Sequence, residues 1–219
     1  MRSSALQLRK QGRYAEAVSV YDTMLARDTT TPADFNGRGF AYAQLGEYDR
    51  AIADFGRALA LRPDYGQAAI NRGRIFFYLG RFREAITDME RALPKDSTNA
   101  YVPLWLYLAK RRAGEGDTTE LARQLRVTDT VAWPAPVGKY YLGRISRDSM
   151  IHASLAVDPR VKHDQRCAAS FFLAQEAMFK HDSSVARTLF TEARDGCPHD
   201  WTEYRSAVKE VERLTPRAR

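Results

Sequence analysis

The chain has 219 residues, of which 44% are hydrophobic, and its net charge is +7. This composition is that of an ordinary globular protein, and no apolar run of about 18 residues predicts a transmembrane helix. The basic excess is spread along the chain, with 15 Lys and Arg against 12 Asp and Glu in 1–99 and 19 against 15 in 100–219. A nucleic-acid-binding protein would concentrate that excess on one face or segment.

A repeat of 34 residues dominates the first half of the chain. The stretch FNGRGFAYAQLGEYDRAIADFGRALALRPDY (35–65) aligns with AINRGRIFFYLGRFREAITDMERALPKDSTN (69–99). Small residues recur where two helices would cross, and a glycine recurs where a helix end favours positive φ. The matched columns are Gly39/Gly73, Tyr42/Phe76, Gly46/Gly80, Tyr48/Phe82, Ala51/Ala85, Phe55/Met89 and Ala58/Ala92, and the register extends back to Gly12, Tyr14, Ala17 and Tyr21.

These columns resemble the tetratricopeptide repeat, in which each unit is a helix–turn–helix hairpin. The resemblance implies an all-α fold, a right-handed superhelix with three repeats in residues 1–99. In the shared register Met1 falls at the fourth residue of the first helix, so the first repeat is truncated at its start. Either that helix is short, or upstream residues were removed. The opening sequence itself has no apolar core typical of a secretory signal peptide.

Residues 100–166 break the repeat pattern. The stretch YVPLWLYLAKRRAG predicts a helix, and DTTELARQLRV predicts a second one capped by Asp117 or Thr118. Together they form a degenerate fourth repeat whose Leu104, Trp105 and Leu108 are predicted to lie in the core. Two short helices follow, one through 137–142 and one after the predicted N-cap Ser146. The basic run 110–112 ends the first helix, where it complements the helix dipole; a phosphate-binding patch is the alternative.

The repeat pattern returns over 167–198, with His181 in place of the turn glycine. The stretch WTEYRSAVKEVERL (201–214) has one apolar stripe and one charged face, which is typical of the capping helix of a solenoid. Residues 167–214 are therefore predicted to form a late repeat and its cap, followed by a short tail over 215–219.

The order of motifs in the second half resembles the NlpI family of bacterial lipoproteins. The motifs are LWLYLA, then a Trp followed by KYYLGRIS, then FFLAQEAM, then WTEYRSAVKEVERL. The resemblance covers residues 66–214 and is most specific over 101–146. It implies a non-catalytic homodimeric scaffold, lipid-anchored on the periplasmic side of the outer membrane. Such a scaffold presents peptidoglycan endopeptidases to a processing protease and assembles cell-wall hydrolases.

The sequence departs from that family in showing no lipobox cysteine and no signal peptide. We therefore expect a periplasmic location if an upstream signal was removed, and a cytoplasmic one otherwise. The alternative function is that of a cytosolic tetratricopeptide scaffold or co-chaperone that binds a peptide tail. No enzymatic activity, cofactor, metal or nucleic-acid partner is expected, because no catalytic motif occurs and the four histidines stand apart from one another.

Cys167 and Cys197 are predicted to lie at the two ends of one helical hairpin. Those ends meet in an antiparallel hairpin, so a disulfide is geometrically reasonable. The alternative is two separate buried thiols. A disulfide would indicate an oxidising compartment, as the resemblance does.

The first helices of stacked repeats line one face of a solenoid and predict the partner-binding groove. Its residues are Arg9 and Lys10 from the first repeat, Asn36, Phe40 and Gln44 from the second, and Ile70, Asn71, Arg74, Phe77 and Tyr78 from the third. Exposed aromatic side chains would suit an extended peptide or a partner helix; alternatively, Phe40 and Phe77 pack between adjacent repeats. Only Asn71 and Arg74 have the chemistry of the clamp that co-chaperones use for a C-terminal carboxylate.

Overall fold

A computed structural model of the chain describes residues 1–93, 101–125, 133–155 and 162–215. Within these ranges the secondary structure is entirely helical, with thirteen α-helices and no strand. The helices are α1 (Arg2–Lys10), α2 (Tyr14–Leu25), α3 (Pro32–Gln44), α4 (Tyr48–Leu61), α5 (Gly66–Tyr78), α6 (Phe82–Ala92), α7 (Tyr101–Ala113), α8 (Thr118–Leu125), α9 (Ala135–Tyr141), α10 (Arg147–Leu155), α11 (Lys162–Phe179), α12 (Ser183–Gly196) and α13 (Thr202–Leu214).

The chain divides into two compact units. Unit 1 comprises Met1–Phe76 with Glu84–Asp96, and unit 2 comprises Phe77–Arg83 with Ser97–Arg219. The predicted segment boundaries at 99/100 and 166/167 stay predictions. Residue 99 lies outside the described part of the chain, and residue 166 lies within α11, which begins earlier than the late repeat was expected to begin.

The turn between the two helices of each hairpin requires a left-handed backbone. Gly12, Gly46, Gly80, Gly114 and Gly143 have φ between +68° and +79°, a conformation that costs glycine little because it lacks a Cβ. At the sixth turn His181 has φ +59°. The helix that follows compensates for the missing glycine, since the Asp182 side chain accepts a hydrogen bond from Val185 N at 3.0 Å.

The helices of the hairpins in unit 1 cross at glycine, as the repeat columns predict. A Cβ placed on Gly39 would come within 3.0 Å of the Phe55 ring, and one on Gly73 within 3.2 Å of Met89. Side chains at these positions would separate α3 from α4 and α5 from α6. Ala51, opposite Gly39 in the repeat pattern, is fully buried.

The core of unit 2 is built from aromatic side chains around Trp105. Its indole lies 5.0 Å from the Phe77 ring and 5.4 Å from the Phe171 ring, measured between centroids. Leu104, Trp105 and Leu108 are at most 1% exposed, so the prediction that this helix face is core is confirmed. The predicted caps are present too. Asp117 Oδ1 accepts from Thr119 N at 2.8 Å, and Ser146 Oγ accepts from Ser149 N at 3.1 Å.

In the described ranges, none of the helices combines the length and apolar character needed to cross a lipid bilayer.

Candidate functional site

The groove residues that belong to unit 1 lie on α1, α3 and α5. We call Arg9, Asn36, Phe40, Asn71 and Arg74 the first-helix face. The Arg9 guanidinium lies 4.2 Å from the centre of the Phe40 ring, within the range of a cation–π contact. Because α1 and α3 are the first helices of successive repeats, their stacking brings a cation and an aromatic ring together on one surface.

The amide side chains of the first-helix face form a short hydrogen-bonded chain. Gln67 Nε2 donates to Asn71 Oδ1, and Asn71 Nδ2 donates to Asn36 Oδ1, both at 3.1 Å. Asn36 is only 8% exposed, so it anchors Asn71, which is half-buried. The orientation of Asn71 is therefore fixed from both sides. Its amide still has hydrogen-bonding capacity for a ligand backbone.

Negative charge is nearly absent from the first helices of unit 1. Across α1, α3 and α5 the one acidic residue is Asp34. It is 3% exposed and accepts two hydrogen bonds from Arg2 at 2.7 and 2.8 Å. The carboxylate is therefore already neutralised and hidden from the surface on which a partner would approach.

Two arginines of these helices are neutralised inside their own hairpins. Arg38 forms a bidentate ion pair with Asp54, and Arg72 forms the same pair with Asp88, with every N–O distance 2.7 Å. The hydrogen bonds to Asp54 raise the pKa of Arg38 above its usual value, so its charge is firmly held. These arginines serve the fold and are not available to a partner.

Arg9 and Arg74 remain available. In the described residues, the Nε atom of each is buried without a hydrogen-bond partner, and no carboxylate is paired with either guanidinium. Both side chains are half-exposed. Lys10, at the end of α1, is exposed. The face therefore carries positive charge beside an aromatic ring and a fixed amide, which suits carboxylate groups of a peptide.

Four predicted groove residues are buried, namely Asn36, described above, and three residues of α5. For Phe77 and Tyr78 this corrects the expectation of aromatic side chains open to a partner. Ile70 is 2%, Phe77 0% and Tyr78 5% exposed. Phe77 belongs to unit 2, where its ring packs edge-on against Phe82 at 5.3 Å and Trp105 at 5.0 Å. It is a core residue. Gln44 is half-buried at the end of α3, and partner binding by the groove stays a prediction.

In unit 2 the structure joins Cys167 and Cys197. Their sulfur atoms are bonded, and their Cα atoms are 5.2 Å apart. Cys167 lies in the second turn of α11 and not at its start, while Cys197 directly follows α12. Both are 5% exposed. A Cβ on Gly196 would come within 3.3 Å of Cys167, so a small residue lets the two helices approach here.

Sequence reasoning missed two parts of the site. The first is Gln67, which holds Asn71; a hydrogen-bonding pair at spacing i, i+4 on one helix was a visible signal. The second is the pair of recurring ion pairs. Arg38 and Asp54 recur 34 residues later as Arg72 and Asp88, so the repeat register could have revealed them.

Comparison with known proteins agrees with the hairpin architecture. Tetratricopeptide-repeat family models match residues 5–33 and 36–100. One similar solved structure is the first tetratricopeptide-repeat domain of Spaghetti (RPAP3), bound to the HSP90 peptide SRMEEVD. It is 28% identical with a TM-score of 0.50, and the match covers 51% of this chain and 89% of that one.

Two further structures match most of the chain at lower identity. A tetratricopeptide-repeat protein from Parabacteroides merdae is 15% identical with a TM-score of 0.60, covering 94% of this chain and 81% of that one. PilW, a type IV pilus biogenesis factor, is 17% identical with a TM-score of 0.58, covering 88% and 90%. The chain thus has the all-α tetratricopeptide-repeat solenoid fold, the fold of a protein–protein interaction scaffold.

Proposed function

We propose that this protein is a non-catalytic scaffold that binds an extended acidic peptide segment of a protein partner on the first-helix face. The observation that carries the proposal is the unneutralised charge there. Arg9 and Arg74 have no carboxylate partner in the described part of the chain, and the one acid of these helices is buried against Arg2. A carboxylate approaching the face would supply charge-assisted hydrogen bonds.

The remaining groups give the face its geometry. Asn71, fixed between Gln67 and Asn36, offers its amide to a peptide backbone. Phe40, already covered on one side by Arg9, supplies a rigid apolar surface. The peptide SRMEEVD bound by the RPAP3 domain contains three acidic residues. That acidic character supports the charge complementarity proposed for this chain.

A heptapeptide library with one position fixed at a time tests the proposal. We expect enrichment of Asp or Glu at two or more positions. For an enriched peptide, fluorescence anisotropy should show that Arg74→Gln weakens binding at least about tenfold, as loss of a hydrogen bond to a charged group implies. Asn71→Ala should weaken it by about two- to tenfold, because the lost hydrogen bond is to the neutral peptide backbone. The matched control is Arg57→Gln, an exposed arginine on the second helix α4. Enrichment of basic residues, or equal binding by Arg74→Gln and Arg57→Gln, would contradict the proposal.

The finer proposal places the protein in the bacterial envelope. There it would act as an NlpI-like adaptor that presents cell-wall hydrolases to a processing protease, with membrane attachment through a lipid anchor and assembly as a homodimer. The support is the resemblance over 101–146 and the disulfide between Cys167 and Cys197, which is typical of an oxidising compartment.

Cell fractionation with crosslinking in the native host tests the envelope adaptor. We expect the protein in the envelope fraction, crosslinked both to a peptidoglycan hydrolase and to a protease. Thiol titration after denaturation without reductant should find no free thiol. Two free thiols in protein taken directly from the cell would remove the support from the disulfide, and recovery of the protein in the cytosolic fraction would contradict the envelope location.

The second candidate is a cytosolic scaffold or co-chaperone that binds a peptide tail. The specific observation in its favour is the 28% identity to the RPAP3 domain across half of the chain. The two candidate functions differ in whether the bound peptide must have a free C-terminal carboxylate. If this chain binds a peptide tail, recognition of the C-terminal carboxylate predicts that amidation of the peptide abolishes binding. An adaptor for internal segments should bind the amidated peptide as well as the free one.

A further inference from the structure

Unit 2 contains a pocket that is separate from the first-helix face. Its volume is about 430 Å³, and its lining comes from the end of α7 with the following loop and from the end of α11. We propose that this pocket binds the C-terminal carboxylate of a peptide together with an apolar last side chain. The lining residues are Arg111, Arg112, Gly114, Gly116, Met178, Phe179 and His181.

The charged group of the pocket is Arg111. Its guanidinium lies 4.9 Å from the centre of the Phe179 ring. Its Nε is buried without a hydrogen-bond partner in the ranges that the structure describes. Stacking on an aromatic ring limits the motion of a guanidinium. The two Nη atoms of Arg111 form the edge that a carboxylate would bind in a bidentate geometry. The lining contains no acidic residue to compete.

Arg112, the neighbouring cation, is in a different state. Its Nη atoms donate to Gln175 at 3.1 Å and to the two oxygens of Glu210 at 2.9 and 3.2 Å. Its charge is therefore neutralised within the core, and its side chain forms a fixed wall of the pocket. The pocket thus offers one free guanidinium, which matches one carboxylate.

The walls of the pocket suit an apolar side chain. Phe179 is held edge-on by Tyr107, with ring centroids 6.3 Å apart, and Met178 is a flexible thioether that adapts to different shapes. Gly116 packs closely against the backbone of α7, since a Cβ there would come within 2.8 Å of Arg111 N. A free phosphate would use the guanidinium but not these walls.

Helix polarity works against anion binding here, since α7 and α11 both end at the pocket and each contributes about half a negative charge. In the proposed complex the full positive charge of Arg111 contacts the carboxylate directly and opposes these partial charges. The inference that the ligand is a peptide rests on the proposed scaffold function. The pocket itself does not share a residue with the first-helix face.

The test uses N-acetyl-leucine as the carboxylate probe and N-acetyl-leucine amide as its neutral match, titrated into the full chain and followed by amide NMR. We expect saturable shifts at Gly114, Gly116 and Phe179 for the acid, with an affinity on the order of millimolar, and none for the amide. Arg111→Gln should weaken binding at least about tenfold, and Arg111→Lys should weaken it less, because the charge remains while the fork is lost. Arg187→Gln, an exposed position on α12, should bind like the wild type.

Each contrary result overturns the inference. These results are equal shifts with N-acetyl-leucine amide, unchanged binding by Arg111→Gln, or no shift at Gly114, Gly116 and Phe179. Inorganic phosphate binding as tightly as the acid would show a general anion site instead. Arg74→Gln, which disables the first-helix face, should leave the probe affinity unchanged, so a failure of the pocket and a failure of the proposed function are distinguishable.

Discussion

Replacing Phe77 by alanine tests which of two roles this residue has. The groove pattern predicts that Phe77 contacts a partner, but the structure places it in the core of unit 2. The side chain has no exposed surface and contacts Phe82 and Trp105 edge-on. A buried Phe→Ala change costs about 3–5 kcal/mol. Since each aromatic pair contributes about 0.5–1.5 kcal/mol beyond burial, we expect the upper part of that range.

Urea unfolding followed by tryptophan fluorescence measures the loss of stability in unit 2. All three tryptophans, Trp105, Trp133 and Trp201, lie in unit 2 with Phe77. With a slope of about 2 kcal/mol per M of urea, a loss of about 4 kcal/mol lowers the midpoint by about 2 M. Phe40→Ala is the matched control. It removes a half-buried ring in unit 1, so the tryptophan midpoint should not move.

A tryptophan midpoint of Phe77→Ala within about 0.3 M of the wild type, together with loss of peptide binding, would contradict a core role for Phe77. Phe77 would then be an exposed contact residue, and the packing around Trp105 would be wrong. The expected pattern is the reverse. Phe40→Ala weakens peptide binding on the first-helix face, and Phe77→Ala weakens the fold of unit 2.

Three further measurements probe other contacts. Gly37→Ala places a Cβ 2.4 Å from the Tyr21 ring and should cost about 1–3 kcal/mol in urea unfolding, whereas Gly56→Ala, with nothing nearer than 3.4 Å, should be neutral or stabilising. Reducing the disulfide between α11 and α12 should lower the free energy of unfolding by about 3–4 kcal/mol; equal midpoints with and without reductant would contradict the bond. Burial raises the pKa of Tyr141, so above pH ~10 this phenol ionises only in the unfolded chain. The free energy of unfolding should therefore fall by about 1.4 kcal/mol per pH unit above that pH, and this fall should be smaller in Tyr141→Phe.

The repeat pattern predicted the fold because its columns have local physical causes. Gly39 is small since Phe55 lies 3.0 Å from where its Cβ would be, and Gly46 sits at a helix end with φ +79°. Such requirements can be read from residue type alone. The start of α11 could not be read in this way, because no strong cap residue marks Lys162 and the helix continues past the repeat register.

Exposure at the site could not be predicted from the columns. Arg9, Ala43 and Phe77 occupy one column, 34 residues apart, yet Arg9 is half-exposed and Phe77 is fully buried. Periodicity fixes which face of a helix a residue occupies. What covers that face depends on the next element, and for Phe77 this is Trp105 on α7, a helix outside the regular repeat.

The positive charge of the first-helix face follows from where the repeat places its carboxylates. Asp54 and Asp88 lie on second helices, are 6% and 1% exposed, and bind Arg38 and Arg72 within their own hairpins. Each hairpin thereby neutralises the arginine that locks its helices together and offers no carboxylate to the neighbouring first-helix face. The excess of basic residues in 1–99 is small, but the acidic residues described in this range are buried, on second helices or between helices. A modest net charge therefore produces a basic surface on the first-helix face.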